Sequence, residues 1–251
     1  MKFTLIALSA AALAHARTLT VLNACSYTVW PAVFTDLDAG SAFPDYPTGW
    51  EADPNTSVTF TIPDNWTAGS VWGRRNCDFT GTGSASQCLD GGCDGGLECD
   101  PHTGTPTGPV TVAEFSLSNS GSADIVDVSI VDGFNIPLRV DNNKGCFVPG
   151  CPVDLNPNCP AALKGPLDSS GSTVGCQSAC EANVDGNPIN SPNCCTGSHE
   201  TPATCPASGV AYYSYFKNNC PDALAFAYDE DGQTLICSSS LAADYTVTFC
   251  P

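Results

Sequence analysis

The sequence predicts a mainly β protein, an antiparallel sandwich or barrel from which long disulfide-rich segments extend. Short segments that alternate apolar and polar residues, rich in β-branched and aromatic side chains, occur near both ends and in the middle of the chain. Between them lie two stretches with many cysteines and few large apolar residues, which need disulfides because they cannot build a core of their own. No repeat of fixed period is present.

The first 16 residues have the pattern of a secretory signal peptide. Lys2 precedes an apolar run, and the run ends in the small-residue triplet Ala14-His15-Ala16. We expect a mature chain that begins at Arg17 and is secreted, extracellular or associated with a cell wall. No other apolar run approaches membrane-spanning length, so we expect no transmembrane segment.

The mature chain divides into five segments by composition. Strand patterns predict a β-sandwich core over residues 17–76, 109–145 and 221–251. The intervening segments are a small Cys-rich region, residues 77–108, and a larger Cys-rich region, residues 146–220. A short helix is predicted near TVGCQSACEA, because Cys176 and Cys180 are spaced i, i+4. We expect the last strand, which carries Cys250, to pair beside the first.

The acidic composition restricts the partners. The chain has 26 Asp and Glu against 8 Lys and Arg, for a net charge of −18, and loss of Lys2 with the signal peptide makes it −19. Nucleic acid and anionic lipid bind through Lys and Arg that neutralise phosphate, so both are disfavoured as partners. A neutral polysaccharide is compatible with such a surface.

Sixteen cysteines in a secreted chain predict disulfides rather than metal sites. After removal of the signal peptide only His102 and His199 remain, and no C-x₂-C pair occurs, so structural zinc is disfavoured and no cofactor is expected. Neither histidine belongs to a recognisable nucleophilic triad. Asn55 and Asn65 each begin an N-glycosylation motif.

The stretch AEFSLSNSGSADIVDVSIVDGFNIP places four carboxylates among residues that favour strands. These are Glu114, Asp124, Asp127 and Asp132. Alternation along a strand usually places such groups on a solvated face, where they serve solubility. The competing interpretation is that several of them converge on one cleft and carry out chemistry there.

Eight segments together resemble the thaumatin-like proteins, with all 16 cysteines in that family's order. The segments are NACSYTVWPAVF, SVWGRRNCDF, the Cys88–Cys99 cluster, TVAEFSL, DVSIVDGFNIPL, CPAALK, YFKNNCPDA and YTVTFCP. The resemblance covers essentially the whole mature chain and implies a flattened antiparallel β-sandwich with two disulfide-rich excursions. It also implies eight disulfides: Cys25–Cys250, Cys77–Cys88, Cys93–Cys99, Cys146–Cys237, Cys151–Cys220, Cys159–Cys176, Cys180–Cys194 and Cys195–Cys205.

The resemblance further implies an acidic cleft between the sandwich and the larger Cys-rich region. The family lines this cleft with one Arg, one Glu and three Asp. Ser70 occupies the position of the Arg, and Arg74 and Arg75, which follow it, need not face the cleft, so the cleft is expected to be more negative than usual. The acidic positions fall on Glu114, Asp127, Asp132 and either Asp229 or Glu230.

Each candidate has an expected role. Glu114 is the candidate acid because Ala113 and Phe115 flank it, and partial desolvation raises the pKa of a carboxyl group. Asp127 and Asp132 are candidates for its ionised partner. Three aromatic residues are candidate platforms for sugar rings. These are Phe134, Tyr212 and Tyr213. Asp124 is expected to lie on the solvated surface. Most of the run of charged residues 229–231 is expected to form a turn.

The resemblance implies a monomeric endo-β-1,3-glucanase that acts on cell-wall glucan. The alternative is a protein that binds β-1,3-glucan without cutting it, or that has an antifungal defence-type role. A sweet-taste role is discounted, because it goes with a basic surface in the family's best-known member and this chain is strongly acidic. The first two hypotheses depend on almost the same residues, so the sequence does not separate them.

Overall fold

The computed structural model describes residues 17–40, 42–80, 87–118, 122–229 and 234–251, so the predicted signal peptide lies outside it. Within these ranges the chain forms eleven strands, one α-helix and four single 3₁₀ turns. The strands are β1 (Arg17–Asn23), β2 (Trp30–Thr35), β3 (Thr56–Ile62), β4 (Gly69–Cys77), β5 (Cys88–Asp90), β6 (Val112–Ser116), β7 (Ala123–Ser129), β8 (Leu138–Asn142), β9 (Gly150–Cys151), β10 (Leu235–Ser238) and β11 (Tyr245–Phe249). The helix is α1 (Tyr213–Asn219), and the 3₁₀ turns are Asn156–Asn158, Gly197–His199, Ala207–Gly209 and Ser239–Leu241.

The strands form two sheets that pack face to face. The five-stranded sheet has the order β3-β1-β11-β8-β9, and the six-stranded sheet has the order β10-β7-β6-β4-β2 with β5 paired to the end of β4. All pairs are antiparallel except β1 and β11, which run parallel with Leu19 opposite Tyr245. The first and last strands are therefore neighbours, as the sequence predicts.

The core between the sheets is apolar and closely packed around Trp66. Its indole is fully buried, stacks on Phe115 with ring centroids 5.1 Å apart, and donates a hydrogen bond to Thr35 Oγ1 at 2.8 Å. A Cβ atom at Gly69 would clash with this indole. Only glycine therefore permits β4 to begin at this point.

The small Cys-rich region covers one part of the outer face of the six-stranded sheet. Trp72 of β4 points outward but is fully buried, because it packs in one apolar cluster with Cys93 and Cys99. Its indole N–H donates to the carbonyl of Gly91 at 2.8 Å. This contact fixes the small region at one end of the sheet and leaves the neighbouring part of the outer face uncovered.

All eight disulfides implied by the resemblance are present. Cys25–Cys250 joins the segments that follow the first and last strands, across 225 residues, and Cys146–Cys237 spans 91 residues. Crosslinks over long loops restrict the unfolded chain most, and each typically stabilises a fold by about 2–4 kcal/mol. The framework holds regions that have little apolar core of their own.

The helix predicted around Cys176 and Cys180 is wrong, because this segment forms isolated β-bridges followed by turns. The N–H and C=O of Cys176 are hydrogen-bonded to Phe134, at 2.7 and 2.8 Å, so they are unavailable to a helix. Disulfides also attach the two cysteines to different partners, Cys159 and Cys194. Within the described ranges, no helix has the length and apolar character needed to cross a membrane.

Asp124 is buried, which corrects the expectation that it lies on the solvated surface. Its Oδ2 accepts from Arg17 Nη1 at 2.8 Å and from the Tyr245 hydroxyl at 2.7 Å, and its Oδ1 accepts from the Ser118 N–H at 3.1 Å. It shares the inward face of β7 with Val126. The group ties the six-stranded sheet to β1 and β11 of the other sheet.

We expect Asp124→Ala to lower the free energy of unfolding by about 3 kcal/mol, since it leaves Arg17 buried without its main partner. Asp64 remains 3.2 Å from Arg17 Nε, so the expected loss is at the lower end of the range of about 3–5 kcal/mol for breaking a buried ion pair. Chemical denaturation measures the change. The matched control is Asp141→Ala, which removes an exposed ion pair with Arg139 and should cost about 1 kcal/mol or less. Equal costs for the two variants would contradict the assignment.

Candidate functional site

Three polar residues form a row across the outer face of the six-stranded sheet. Ser70 of β4 lies opposite Glu114 of β6, and Glu114 lies opposite Asp127 of β7. Residues directly opposite each other in an antiparallel pair have Cβ atoms about 4.5–5.5 Å apart. The side chains of Glu114 and Asp127 interact directly, and each alters the pKa of the other. The register therefore brings two of the sequence-predicted acids together as one pair.

A cleft of about 900 Å³ opens above this row. The described residues of its walls come from the segments around 36–39 and 67–70, from the 102–106 part of the small Cys-rich region, and from Asp132 at one end. Asp132 also lines a smaller cavity whose other walls include Ser178, Ala179 and Cys180 of the larger Cys-rich region, the region against which the cleft was predicted to lie. The volume of the cleft lies in the usual range for ligand sites, roughly 300–1,000 Å³.

The Glu114–Asp127 pair holds one proton near neutral pH. Burial raises the pKa of Asp127, and the negative charge of Glu114 raises it further, to about 7. Asp127 is the less exposed of the two, and one of its carboxyl oxygens is buried without a hydrogen-bond partner. The greater burial of Asp127 favours its protonated form, which can donate a hydrogen bond to Glu114.

Glu114 and Asp132 are more accessible to solvent than Asp127. Burial raises the pKa of Glu114, the hydrogen bond from Asp127 opposes that rise, and the charge of Asp132 adds to it. Partial burial also raises the pKa of Asp132. The cleft thus presents two carboxyl groups on the sheet that can share one proton, and a separate carboxyl group on the turn that follows β7.

Both neighbouring arginines point away from the cleft. Arg74 is fully buried and donates to the carbonyls of Gly96 and Leu97, each at 2.7 Å, inside the small Cys-rich region. The Arg75 guanidinium lies 4.7 Å from the ring centroid of Tyr27. Among the described lining residues there is no Lys or Arg, so Ser70 leaves the carboxyl pair without a cation beside it.

The structure does not bring Asp229 to the cleft. Asp229 is buried, lies 3.1 Å from Lys217 Nζ and accepts a 3.1 Å hydrogen bond from the Tyr213 hydroxyl. These contacts stabilise α1, and none of the residues that make them lines the cleft. Tyr212, which precedes α1, does not line it either. Glu230 lies outside the described residues.

Phe134 is not a sugar platform, which corrects that expectation. Its side chain is 0% exposed and belongs to the main apolar core. A ring that is fully enclosed cannot stack on a ligand.

Both predicted N-glycosylation acceptors are exposed. Asn55 lies in the turn before β3, and Asn65 lies in the turn before buried Trp66. Exposure permits modification without disturbing the core. Their glycosylation stays a prediction.

Two further carboxyl groups near the cleft carry no local sequence signal. Glu181, in the larger Cys-rich region, has a pKa raised to about 7 by burial and by the charge of Asp132. Asp90 of β5 is 2% exposed, and burial raises its pKa to about 8. Glu181 lies in an irregular segment and Asp90 ends a strand of only three residues, so no hydrophobic period indicates which way either side chain points, and only the folded chain identifies them.

The position of Ser70 predicts how the carboxyl pair responds to a cation. Ser70→Arg places a positive charge opposite Glu114, which favours the ionised form and should lower the pKa of the pair by about one unit. Titration of the Asp127 carboxyl carbon by ¹³C NMR measures the shift. Ser70→Gln is the neutral control and should leave the pKa near that of the unmodified protein. An unchanged pKa in Ser70→Arg would show that position 70 does not reach the pair.

Comparison with known proteins identifies the family. The thaumatin family profile matches residues 23–251. Pathogenesis-related thaumatin-like protein 3.5 of Cryptomeria japonica is 41% identical over 242 residues, covering 95% of this chain and 91% of that protein. Thaumatin-like protein 1 of Arabidopsis thaliana is 37% identical over 246 residues, covering 93% and 86%. The solved structure of the thaumatin-like xylanase inhibitor TLXI matches with a TM-score of 0.47 and 21% identity, over 93% of this chain and 99% of that one. The chain belongs to the thaumatin family.

Proposed function

We propose that this protein is secreted, binds β-1,3-glucan in its acidic cleft and hydrolyses it by acid–base catalysis. The observation that carries the proposal is the Glu114–Asp127 pair on the cleft floor with Asp132 beside it. Glycoside hydrolysis needs one carboxyl group that is protonated and one that is ionised. A proton-sharing pair next to a separate carboxylate provides both forms at the same pH.

The proposed roles follow from exposure. Glu114 is the more exposed member of the pair, so it delivers the proton to the glycosidic oxygen as the bond from that oxygen to the sugar carbon breaks. The proton that it delivers is the one the pair shares, which Asp127 passes to Glu114 through their contact as the transfer proceeds, so both members of the pair are ionised afterwards. Asp132 acts as the ionised partner, the base or nucleophile at the sugar carbon.

The charge of the protein favours a neutral polymer as the substrate. The chain carries a net charge of −18, and the described cleft lining contains only acidic groups and one histidine among its titratable side chains. Anionic polymers are repelled by such a surface. A β-glucan has no charge, and the open cleft admits an extended chain.

The second candidate is a glucan-binding protein of a defence type that does not cleave. One observation favours it: Glu114 and Asp127 contact each other directly, whereas the two carboxyl groups of a retaining glycosidase are about 5 Å apart. Catalysis therefore depends on Asp132 as the second group. The pathogenesis-related name of one relative agrees with a defence-type role.

We expect the purified protein to release new reducing ends from a soluble β-1,3-glucan. Glu114→Gln keeps the size of the side chain but cannot supply a proton, so it should lower the rate by about 10²- to 10⁴-fold. The control is Glu200→Gln, the same change at an exposed residue remote from the cleft, which should leave the rate unchanged.

Two outcomes separate the candidates. Absence of reducing ends, with retention of the protein on insoluble β-1,3-glucan, would reject hydrolysis and support the binding role. Full activity in Glu114→Gln would reject the assignment of the acid. Neither retention nor cleavage would reject both candidates.

A further inference from the structure

A second cavity, of about 600 Å³, lies at the edge strand β2 of the six-stranded sheet. Its described walls come from β2 itself, from the 37–48 segment and from the 98–102 part of the small Cys-rich region. None of the carboxyl groups to which the cleft chemistry is assigned lines it. Its volume lies in the usual range for ligand sites, roughly 300–1,000 Å³, so it is large enough to hold a ligand of its own.

The row of residues on the cleft floor ends at Phe34, which also lines the second cavity. Ser70 of β4 lies opposite Glu114 of β6 on one side and opposite Phe34 of β2 on the other. Neighbouring strands are about 4.8 Å apart, so the backbone of Phe34 lies about 10 Å from that of Glu114. Phe34 and His102 line both cavities. The second cavity therefore adjoins the cleft at the end of the row that is farthest from Asp127.

The second cavity offers an accessible aromatic ring that the cleft lacks. Most of its described lining residues are apolar, and Phe43 among them is 62% exposed. The two phenylalanines that line the cleft, Phe34 and Phe115, are 9% and 2% exposed, so neither presents its face to a ligand. An aromatic face can stack on the apolar face of a sugar ring. Phe43 is therefore placed to act as a platform beside the cleft.

Contacts within the protein hold the walls of the second cavity in place. Tyr46 stacks on Phe60 with ring centroids 4.5 Å apart. The Thr48 hydroxyl donates to the Cys99 carbonyl at 2.8 Å, which ties this wall to the small Cys-rich region. The Val33 N–H donates to the Thr48 carbonyl at 2.9 Å, which ties the same wall to β2. A cavity that is formed in advance spares a ligand the cost of ordering its walls.

The polar groups of the second cavity suit a neutral ligand that carries hydroxyl groups. Asp45 and Glu98 line it from two different walls, and both side chains are exposed. No Lys or Arg is present among its described lining residues. Ionised carboxyl groups accept hydrogen bonds and donate none, so they pair with hydroxyl donors. An anionic ligand is repelled by the same groups.

We propose that the second cavity is a subsite for the same β-1,3-glucan chain that occupies the cleft, with Phe43 as the stacking platform for a sugar ring. The inference rests on the proposed function, because it extends the cleft along one polymer. A chain that follows the row from Asp127 to Phe34 leaves the cleft where the second cavity begins. One sugar ring then covers Phe43, and its hydroxyl groups donate to Asp45 and Glu98. The subsite makes the protein select long glucan chains over short ones.

The test compares a β-1,3-linked trisaccharide, which is short enough to occupy the cleft alone, with a soluble β-1,3-glucan polymer. Isothermal titration calorimetry measures both affinities in a Glu114→Gln background, in which cleavage is slow. Phe43→Ala should lower the affinity for the polymer roughly tenfold, because the stacked ring is lost, and should leave the affinity for the trisaccharide unchanged. Phe43→Tyr keeps a ring and should retain polymer binding. The control is Phe147→Ala, the same change at an exposed phenylalanine outside both cavities, which should alter neither affinity.

The outcomes distinguish this inference from the proposed function. An unchanged ratio of the two affinities in Phe43→Ala would overturn the inference and leave glucan binding in the cleft intact. Failure of both sugars to bind would reject the proposed function and this inference with it. If Phe43→Ala instead weakens binding of an apolar fluorescent dye that the polymer does not displace, the cavity takes an apolar ligand and the inference is overturned. Because Phe43 is largely exposed, its replacement should leave the fold intact, which thermal unfolding verifies.

Discussion

The antiparallel register of β6 against β7 is the constraint on which the site depends. It places Glu114 directly opposite Asp127 on the outer face and Phe115 opposite Val126 on the inner face. A shift of one residue would turn the carboxyl groups into the core and Phe115 out of it, because strand side chains alternate between faces. The stacking of Phe115 on Trp66 therefore determines where the carboxyl pair lies. The same register therefore fixes both the packing of the core and the positions of the carboxyl groups in the cleft.

The adjacent carboxyl groups on the floor of the cleft destabilise the folded state, and interactions elsewhere in the structure offset that destabilisation. Burial and repulsion between neighbouring acids raise the pKa of Asp127 and of Glu181 to about 7, so these groups keep protons that an unfolded chain releases at about pH 4. Each such group lowers the stability of the folded state as the pH rises from its unfolded pKa to its folded one. Eight disulfides and the buried group of Asp124, Arg17 and Tyr245 hold the sheets together across that range.

Alternation of apolar and polar residues predicted the strands and the faces of Glu114 and Asp127, because those depend only on neighbours along the chain. The same alternation places Asp124 on the inner face with Val126, but its charge suggested solvent; its partner Arg17 lies 107 residues away. The disulfide pairing came through the resemblance, since 16 cysteines allow many pairings. Glu181 had no signal, because its surroundings depend on the packing of an irregular segment.

The central claim is that Glu114 and Asp127 share one proton at neutral pH. Neutron diffraction from deuterated crystals below pH 7 locates that proton directly. The account predicts one deuteron between the two carboxyl groups, bonded to Asp127 and directed at Glu114. Two ionised carboxylates with no deuteron between them would contradict it, as would a deuteron on each group.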